Sequence, residues 1–480
     1  MKKVIASVLS VAMVAAIAAG CTTQPTDAPV STTAGGTGET EAPVETEEPV
    51  ETEPSETEPV SYGTGAEHVN LWSFTDEIPN MVKYYISQNP EFGEKYTFDC
   101  TIIATDGGAY QQALDAALVA GGDTAPDMYA AEAAFILKYS QGDMAQFAST
   151  YKDLGIDVDT KIADAGIAPY TIEVGSRGSD LVALGYQATG CAMIYRASIA
   201  EEVFGTSEPS EIEEIVGAGT NSWDKFFEAA AKLKEKGYAA VSGSGDIWNA
   251  QEKSASTGWI VDGQLNIDPN RDAFFDIAKT LKDEGYSNDA SGWTEAWYAD
   301  MKGEGEKPVF AFFGPAWLIN YVMIGNCGGE KAGEGTYGDW RVCAPPVGFF
   351  WGGTWVLGNK DTDNKEAVAT IIEWITLDTS ETGLQYLWAN DKMGNGAKDT
   401  VASATVMAKS DGSLDFCGGQ NVFPAFIDGN KYASAKAMTQ YDETINGYFT
   451  DAANQYAQGN LDRDAAMDAF KTNVTDNLSF

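Results

Sequence analysis

HVNLWSFTDEIPNMVKYYISQNP, residues 68–90, is the stretch whose reading decides the fold. HVNLWSF is a β-like run, and Met81, Val82, Tyr85 and Ile86 then share one helical face until Pro90 stops the helix. Downstream, TFDCTIIAT (97–105) gives a second strand. Tyr110, Leu114 and Leu118 line another helix that ends at Gly121 and Gly122, and PDMYAAE (126–132) supplies a third strand. Strand, helix, strand, helix, strand in this order predicts half of a doubly wound α/β sheet, which binds ligands at the carboxyl ends of its strands.

The remainder repeats the style and is expected to build parallel sheets as well. DLVALGYQ (180–187) and AMIYR (192–196) are apolar runs flanking a Gly-containing break. Ser222 caps a helix on which Trp223, Phe226, Phe227 and Ala230 recur at helical spacing until Gly237. Asp363 and Glu366 open another, with Val368, Ile371, Ile372 and Ile375 on one face. Trp223 and Trp374 sit on those faces and read as core.

Upstream of this body, Lys2 and Lys3 precede an apolar run from Val4 to Ala19, the pattern of a signal peptide over residues 1–20. Ala18, Ala19 and Gly20 lead into Cys21, a pattern that resembles a bacterial lipobox, and the resemblance implies a lipidated Cys21. Residues 22–60 hold one Asp, nine Glu and no Lys or Arg among Thr, Pro and Gly, so residues 21–65 are expected to form the lipidated start and a disordered acidic tether. The expected location is the outer face of the cytoplasmic membrane, lipid-anchored and extracytoplasmic, as in a Gram-positive cell. A formal net charge of −41 repels phosphate backbones and anionic lipids, which argues against nucleic acid and leaves the lipid as the only membrane contact. Five cysteines follow Cys21, at 100, 191, 327, 343 and 417; an odd, scattered set favours free, partly buried thiols, with Cys327 and Cys343 as the pair that could bridge.

At 480 residues, two lobes are the natural prior. YQQALDAALVAGGDTAPDMYAAE, GYQATGCAMIYRASI, SWDKFFEAAAKLKEKG, VFAFFGPAW and WGGTWVLGNKDTDNKEAVATIIEWI, in that order and spacing, resemble the family 1 extracellular solute-binding proteins of ABC importers, whose members include maltodextrin binders. The resemblance runs from about residue 67 to 474. It implies a two-lobed, periplasmic-binding-protein-like α/β fold (type II) with a ligand cleft between the lobes. The N-terminal lobe would hold 66–185 plus 312–352 and the C-terminal lobe 186–311 plus 353–480, with crossings near Tyr186, Phe312 and Gly353. It further implies an oligosaccharide ligand, docking on ABC transporter permease subunits, a monomer, no cofactor and no enzymatic activity.

Sugars present flat C–H faces and a rim of hydroxyls, so their sites need aromatic planes and fixed polar groups. Candidates are Trp72 and Phe74 at the end of the first strand, followed by Asp76; Tyr110, Gln111 and Glu132 in the first half; and Asp246, Trp248, Asn249 and Trp259 in the second. Trp293 and Trp297 are four apart, Trp317 lies near a crossing, and Trp351 and Trp355 surround Gly352 and Gly353, which permit close backbone approach. For each aromatic, packing in the core competes evenly with ligand contact.

The missing chemistry is equally informative. His68 is the only histidine and adjoins the tether, which excludes a Ser-His-Asp or Cys-His set and histidine zinc sites in the body. GEGTYG (333–338) fits a dinucleotide fingerprint by letter but follows a polar loop and precedes no helix, so it reads as a surface turn. The acidic pairs near 361–366 and 462–464 lack the glycine and distal glutamate of a calcium loop. Two alternatives remain open: a surface glycan-binding protein that feeds no transporter, and a glycoside hydrolase using two carboxylates.

Overall fold

The structure is a computed structural model that describes residues 60–480. The expected signal peptide, Cys21 and nearly all of the expected tether lie outside these residues.

Two sheets organise the body. The first uses β1 (Val60–Gly63), β2 (Glu67–Ser73), β3 (Tyr96–Ile102), β4 (Met128–Glu132) and β5 (Ala183–Gly185), and the second starts with β6 (Ala192–Arg196), β7 (Ala311–Gly314) and β8 (Trp340–Cys343). The chain then returns to the first sheet as β9 (Thr354–Gly358), giving the order β1-β3-β2-β4-β9-β5. Strand β2 runs parallel to β3 and β4, as the alternating pattern predicts, and Val69 and Leu71 point into a fully buried core. Helices Glu77–Gln88 and Ala109–Ala120 make the crossovers, burying Met81, Val82, Tyr110, Leu114 and Leu118. Burial of such apolar faces is the main stabilising term, at about 25 cal/mol per Å².

The second sheet departs from expectation: β6 lies between β7 and β8, antiparallel to both. Its parallel part is reduced to bridges, Ala239 with Val309 and Val241 with Ser287. Trp223 and Trp374 are buried on their helices, as expected.

Strand pairing corrects the expected partition of the chain. Segments 311–314 and 340–343 pair with β6 in the second sheet, whereas 354–358 enters the first between β4 and β5. Phe312 therefore stands opposite Ile194 inside a strand and is no crossing. Helix Lys365–Thr376 packs on the first lobe against β9 and helix Glu77–Gln88, and Ser403 and Thr405 donate hydrogen bonds to the carbonyl oxygens of Ala165 and Asp164 there. The chain touches the second sheet at Gln420, whose side chain bonds the Val342 backbone, and along helix Phe423–Tyr432, and from Asp442 helices Asp442–Ala457 and Arg463–Asn477 pack in the second lobe against Phe274–Asp283. The reason is physical: apolar runs such as TWVLG and AFFG look alike in sequence, and long-range pairing, not local pattern, decides which sheet takes each one. The crossings are 186–191, 344–353 and the segment before residue 442.

All five cysteines of the described region are free and buried, so Cys327 and Cys343 do not bridge. GEGTYG is the turn-rich connection it was read as, with left-handed backbone at Gly333, Gly335 and Gly338.

Candidate functional site

Four indoles meet where the chain passes between the sheets. Trp293 precedes helix Glu295–Lys302 and Trp297 lies in its first turn; Trp317 follows β7, and Trp351 lies on the crossing before β9. Trp293 stacks on Trp317 with centroids 6.2 Å apart and planes 13° from parallel, and Trp351 meets Trp317 edge-on at 4.9 Å. Trp297 stands 5.5 Å from Trp293. Their burial divides the group into support and face. Trp297 and Trp317 are buried, whereas Trp293 and Trp351 keep part of their surface open.

Each supporting indole is anchored by its N–H. Trp317 Nε1 donates to the Trp351 carbonyl oxygen at 3.1 Å, and Trp297 Nε1 donates to Asp246 Oδ1 at 3.2 Å. Asp246 is itself held by the N–H groups of Ser242 and Gly243, both at 3.0 Å to Oδ2. Burial pushes its carboxyl up to about 6, against the pull of those donors. Asp246 was expected at the ligand; it is a buried clamp that orients Trp297 instead.

Glu132 reaches this cluster from the first lobe, at the carboxyl end of β4. Its Oε2 accepts from the Ala134 N–H at 2.7 Å, and burial pushes its carboxyl up to about 7. Gly352 separates it from Trp317: a Cβ there would lie 3.6 Å from Glu132 Oε1 and 3.5 Å from Trp317 Nε1. The turn also requires glycine, with φ of 74° at Gly352 and 112° at Gly353. Thr189 Oγ1 and the Ala133 N–H donate to the two glycine carbonyl oxygens and fix the turn to the 186–191 crossing and to the first lobe.

A cavity of about 200 Å³ opens beside this turn. Glu132, Ala133 and Ala134 wall it on the first lobe, Phe350, Trp351 and Gly352 on the crossing, and two second-lobe helices close it. Helix Ser244–Lys253 contributes Asn249, Glu252 and Lys253; the segment entering helix Asp442–Ala457 contributes Met438, Thr439, Asp442, Glu443 and Asn446. Lys253 Nζ donates to Glu252 Oε1 at 2.9 Å and lies 5.3 Å from the centre of the Phe350 ring. A larger hollow of about 790 Å³ lies elsewhere, between helices Glu77–Gln88 and Lys365–Thr376. It holds none of the indoles just described.

Other expected site residues lie apart. Trp72 and Phe74 end β2 half-buried, Phe74 edge-on to Tyr110 at 5.9 Å, and Asp76 is exposed at the start of the following helix. Tyr110, Trp248, Trp259 and Trp355 are corrected to core. The Tyr110 hydroxyl donates to the Ala130 carbonyl oxygen at 2.7 Å, and Trp355 Nε1 donates to that of Thr171 at 3.0 Å. Trp248 and Trp259 pack on Phe449, each at 5.1 Å. Large rings on helix faces or inside strands bury more apolar area in the core than any surface position allows. Gln111 belongs to the Ala109–Ala120 helix outside the cavity.

Sequence reasoning missed Glu252, Lys253, Asp442 and Glu443. No local signal marks the last two, because only the third crossing carries that helix terminus to β4.

The model of the bacterial extracellular solute-binding proteins matches residues 90–412, two thirds of the chain. The chain belongs to this family. A crystal structure of a family 1 extracellular solute-binding protein superposes with a TM-score of 0.69 at 16% identity, over 85% of this chain and 99% of that one. The galacto-N-biose-/lacto-N-biose I-binding protein of the ABC transporter from Bifidobacterium longum, in complex with lacto-N-biose, gives 0.61 at 15% identity, over 86% and 98%. An ABC-transporter-associated binding protein from B. animalis subsp. lactis, in complex with β-1,6-galactobiose, gives 0.55 at 17% identity, over 85% and 97%. Among curated proteins none matches by sequence. These solute-binding proteins share the two-lobed α/β architecture of the chain described here.

Proposed function

We propose that this solute-binding protein takes up an oligosaccharide between its lobes and hands it to the permease subunits of an ABC transporter, as a monomer and without chemistry of its own. One observation carries the reading: indoles from the second sheet and from a crossing converge beside Glu132 of the first, leaving the open surfaces of Trp293 and Trp351 for a pyranose ring. Ring faces supply stacking while carboxylates and amides accept from hydroxyls, which is what a neutral glycan requires. The solved neighbours that carry disaccharides support the same ligand class. Lipid attachment through Cys21 and an extracytoplasmic address complete the proposal and rest on the sequence pattern alone.

Calorimetry with a panel of oligosaccharides tests it, together with thermal unfolding, because a ligand of the folded state raises apparent stability. One glycan class should bind and raise the unfolding temperature, and uptake of that glycan should need the intact gene. If peptides or polyamines bind and no glycan does, the carbohydrate assignment fails.

A further inference from the structure

The cavity beside Trp351 is lined by four carboxylates, Glu132, Glu252, Asp442 and Glu443, and by a single cation, Lys253. Lys253 is already committed to Glu252 at 2.9 Å, and both side chains are largely buried. Arg271 stands behind the wall, its guanidinium 4.4 Å from the centre of the Trp259 ring and donating to the carbonyl oxygens of Thr257 and Ala437. Counting both cations, the surroundings still hold more negative than positive groups.

Their hydrogen bonding is unequal. Asp442 Oδ1 accepts from the Thr439 backbone N–H and hydroxyl, but Oδ2 of this side chain, only 5% exposed, has no partner. Glu443, exposed in the first turn of the same helix, makes no side-chain hydrogen bond among the described residues. Glu132 uses Oε2 on Ala134 and leaves Oε1 facing Gly352. A buried acceptor left without a donor is costly, so such an arrangement is kept where a ligand supplies the donor.

Resting on the carbohydrate reading above, we infer that the sugar unit entering this cavity carries a free amino group, held as an ammonium by Asp442, Glu443 and Glu132. An ammonium offers donors without acceptors and brings the positive charge that the wall lacks, whereas a neutral hydroxyl satisfies the geometry but not the charge. The cavity volume of about 200 Å³ suits one ring and not a chain of them. The indoles would then stack the adjoining unit. Acidic sugars are disfavoured, since a carboxylate there would face the same four groups.

The test uses calorimetry on the full chain, with matched disaccharides: the glucosamine dimer, its N-acetylated form, a neutral glucose dimer and a uronic-acid dimer. The amine form should bind at least about tenfold more tightly than the acetylated one, with the acidic dimer weakest. Glu443→Gln should shrink that preference several-fold. Asp442→Asn, a second isosteric change, guards against loss of folding in the first. Binding of the amine dimer should pass through a maximum with pH, rising as the cavity carboxyls ionise and falling as the sugar ammonium loses its proton near neutrality. Equal or tighter binding of the neutral or acetylated dimer overturns the inference and leaves the carbohydrate reading standing. Binding of a plain diamine with no response to any sugar overturns the carbohydrate reading and keeps the cation site. No response to any of these ligands overturns both.

Discussion

Replacing Trp351 by alanine separates binding from folding in a way the geometry makes quantitative. Its ring is half-buried, edge-on to Trp317 at 4.9 Å and to Trp293 at 6.0 Å, and its backbone accepts from Trp317 Nε1 through a carbonyl that the substitution keeps. Two aromatic pairs at about 0.5–1.5 kcal/mol each set the loss of stability at about 1–3 kcal/mol. One ring face removed from a bound sugar, about 50 Å² at about 25 cal/mol per Å² with an added stacking contribution, weakens affinity by about 1–2 kcal/mol, or about 5–30-fold. Trp297→Ala is the counterpart. That ring is buried and holds the Asp246 carboxylate, so its loss should cost about 3–5 kcal/mol of stability, for cavity and orphaned acceptor together. Calorimetry with the best glycan and urea unfolding of both variants give the comparison. A folded Trp351→Ala protein that binds the glycan as the parent does would refute the assignment of this ring to the ligand face.

Tyr110→Phe removes the hydroxyl that donates to the Ala130 and Trp72 carbonyl oxygens; it should lower unfolding free energy by about 1 kcal/mol and leave glycan affinity unchanged, measured by the same two assays. Stability should fall as pH rises from 5 to 8. Glu77 and Glu132 at about 7, and Asp246 and Asp399 at about 6, all bind protons more tightly folded than unfolded, so their contribution is present at low pH and lost as they ionise; urea midpoints at the two pH values read it directly. Cys100, Cys191, Cys327, Cys343 and Cys417 should resist an aromatic disulfide reagent in the native chain from residue 60 and yield five thiols in denaturant; any fast-reacting thiol in the native chain contradicts the described burial.

The first sheet was legible because its strands and crossover helices follow one another in sequence: HVNLWSF, TFDCTIIAT and PDMYAAE become β2, β3 and β4, with ends that differ by at most three residues. Strand β9 was not, because TWVLG carries no mark of whether it belongs beside AMIYR or PDMYAAE, and its pairing with Glu132 spans more than two hundred residues. The indoles divided along the same line. Trp293 and Trp351, in irregular segments, keep an open surface, whereas Trp248 and Trp355, inside a helix and a strand, belong to packed interiors. Glu132 was readable as the last residue of PDMYAAE, at the carboxyl end of a strand. Asp442 and Glu443 were indistinguishable from any acidic helix start, since the first turn of a helix favours carboxylates wherever it lies.

The insertion of β9 between β4 and β5 governs when the molecule can assemble. A nascent polypeptide that has delivered its first three hundred residues still presents two unsatisfied strand edges, and neither can mate until Thr354–Gly358 emerges. Closing a loop over that span is slow, so the first sheet is completed late, after most of the chain has been made.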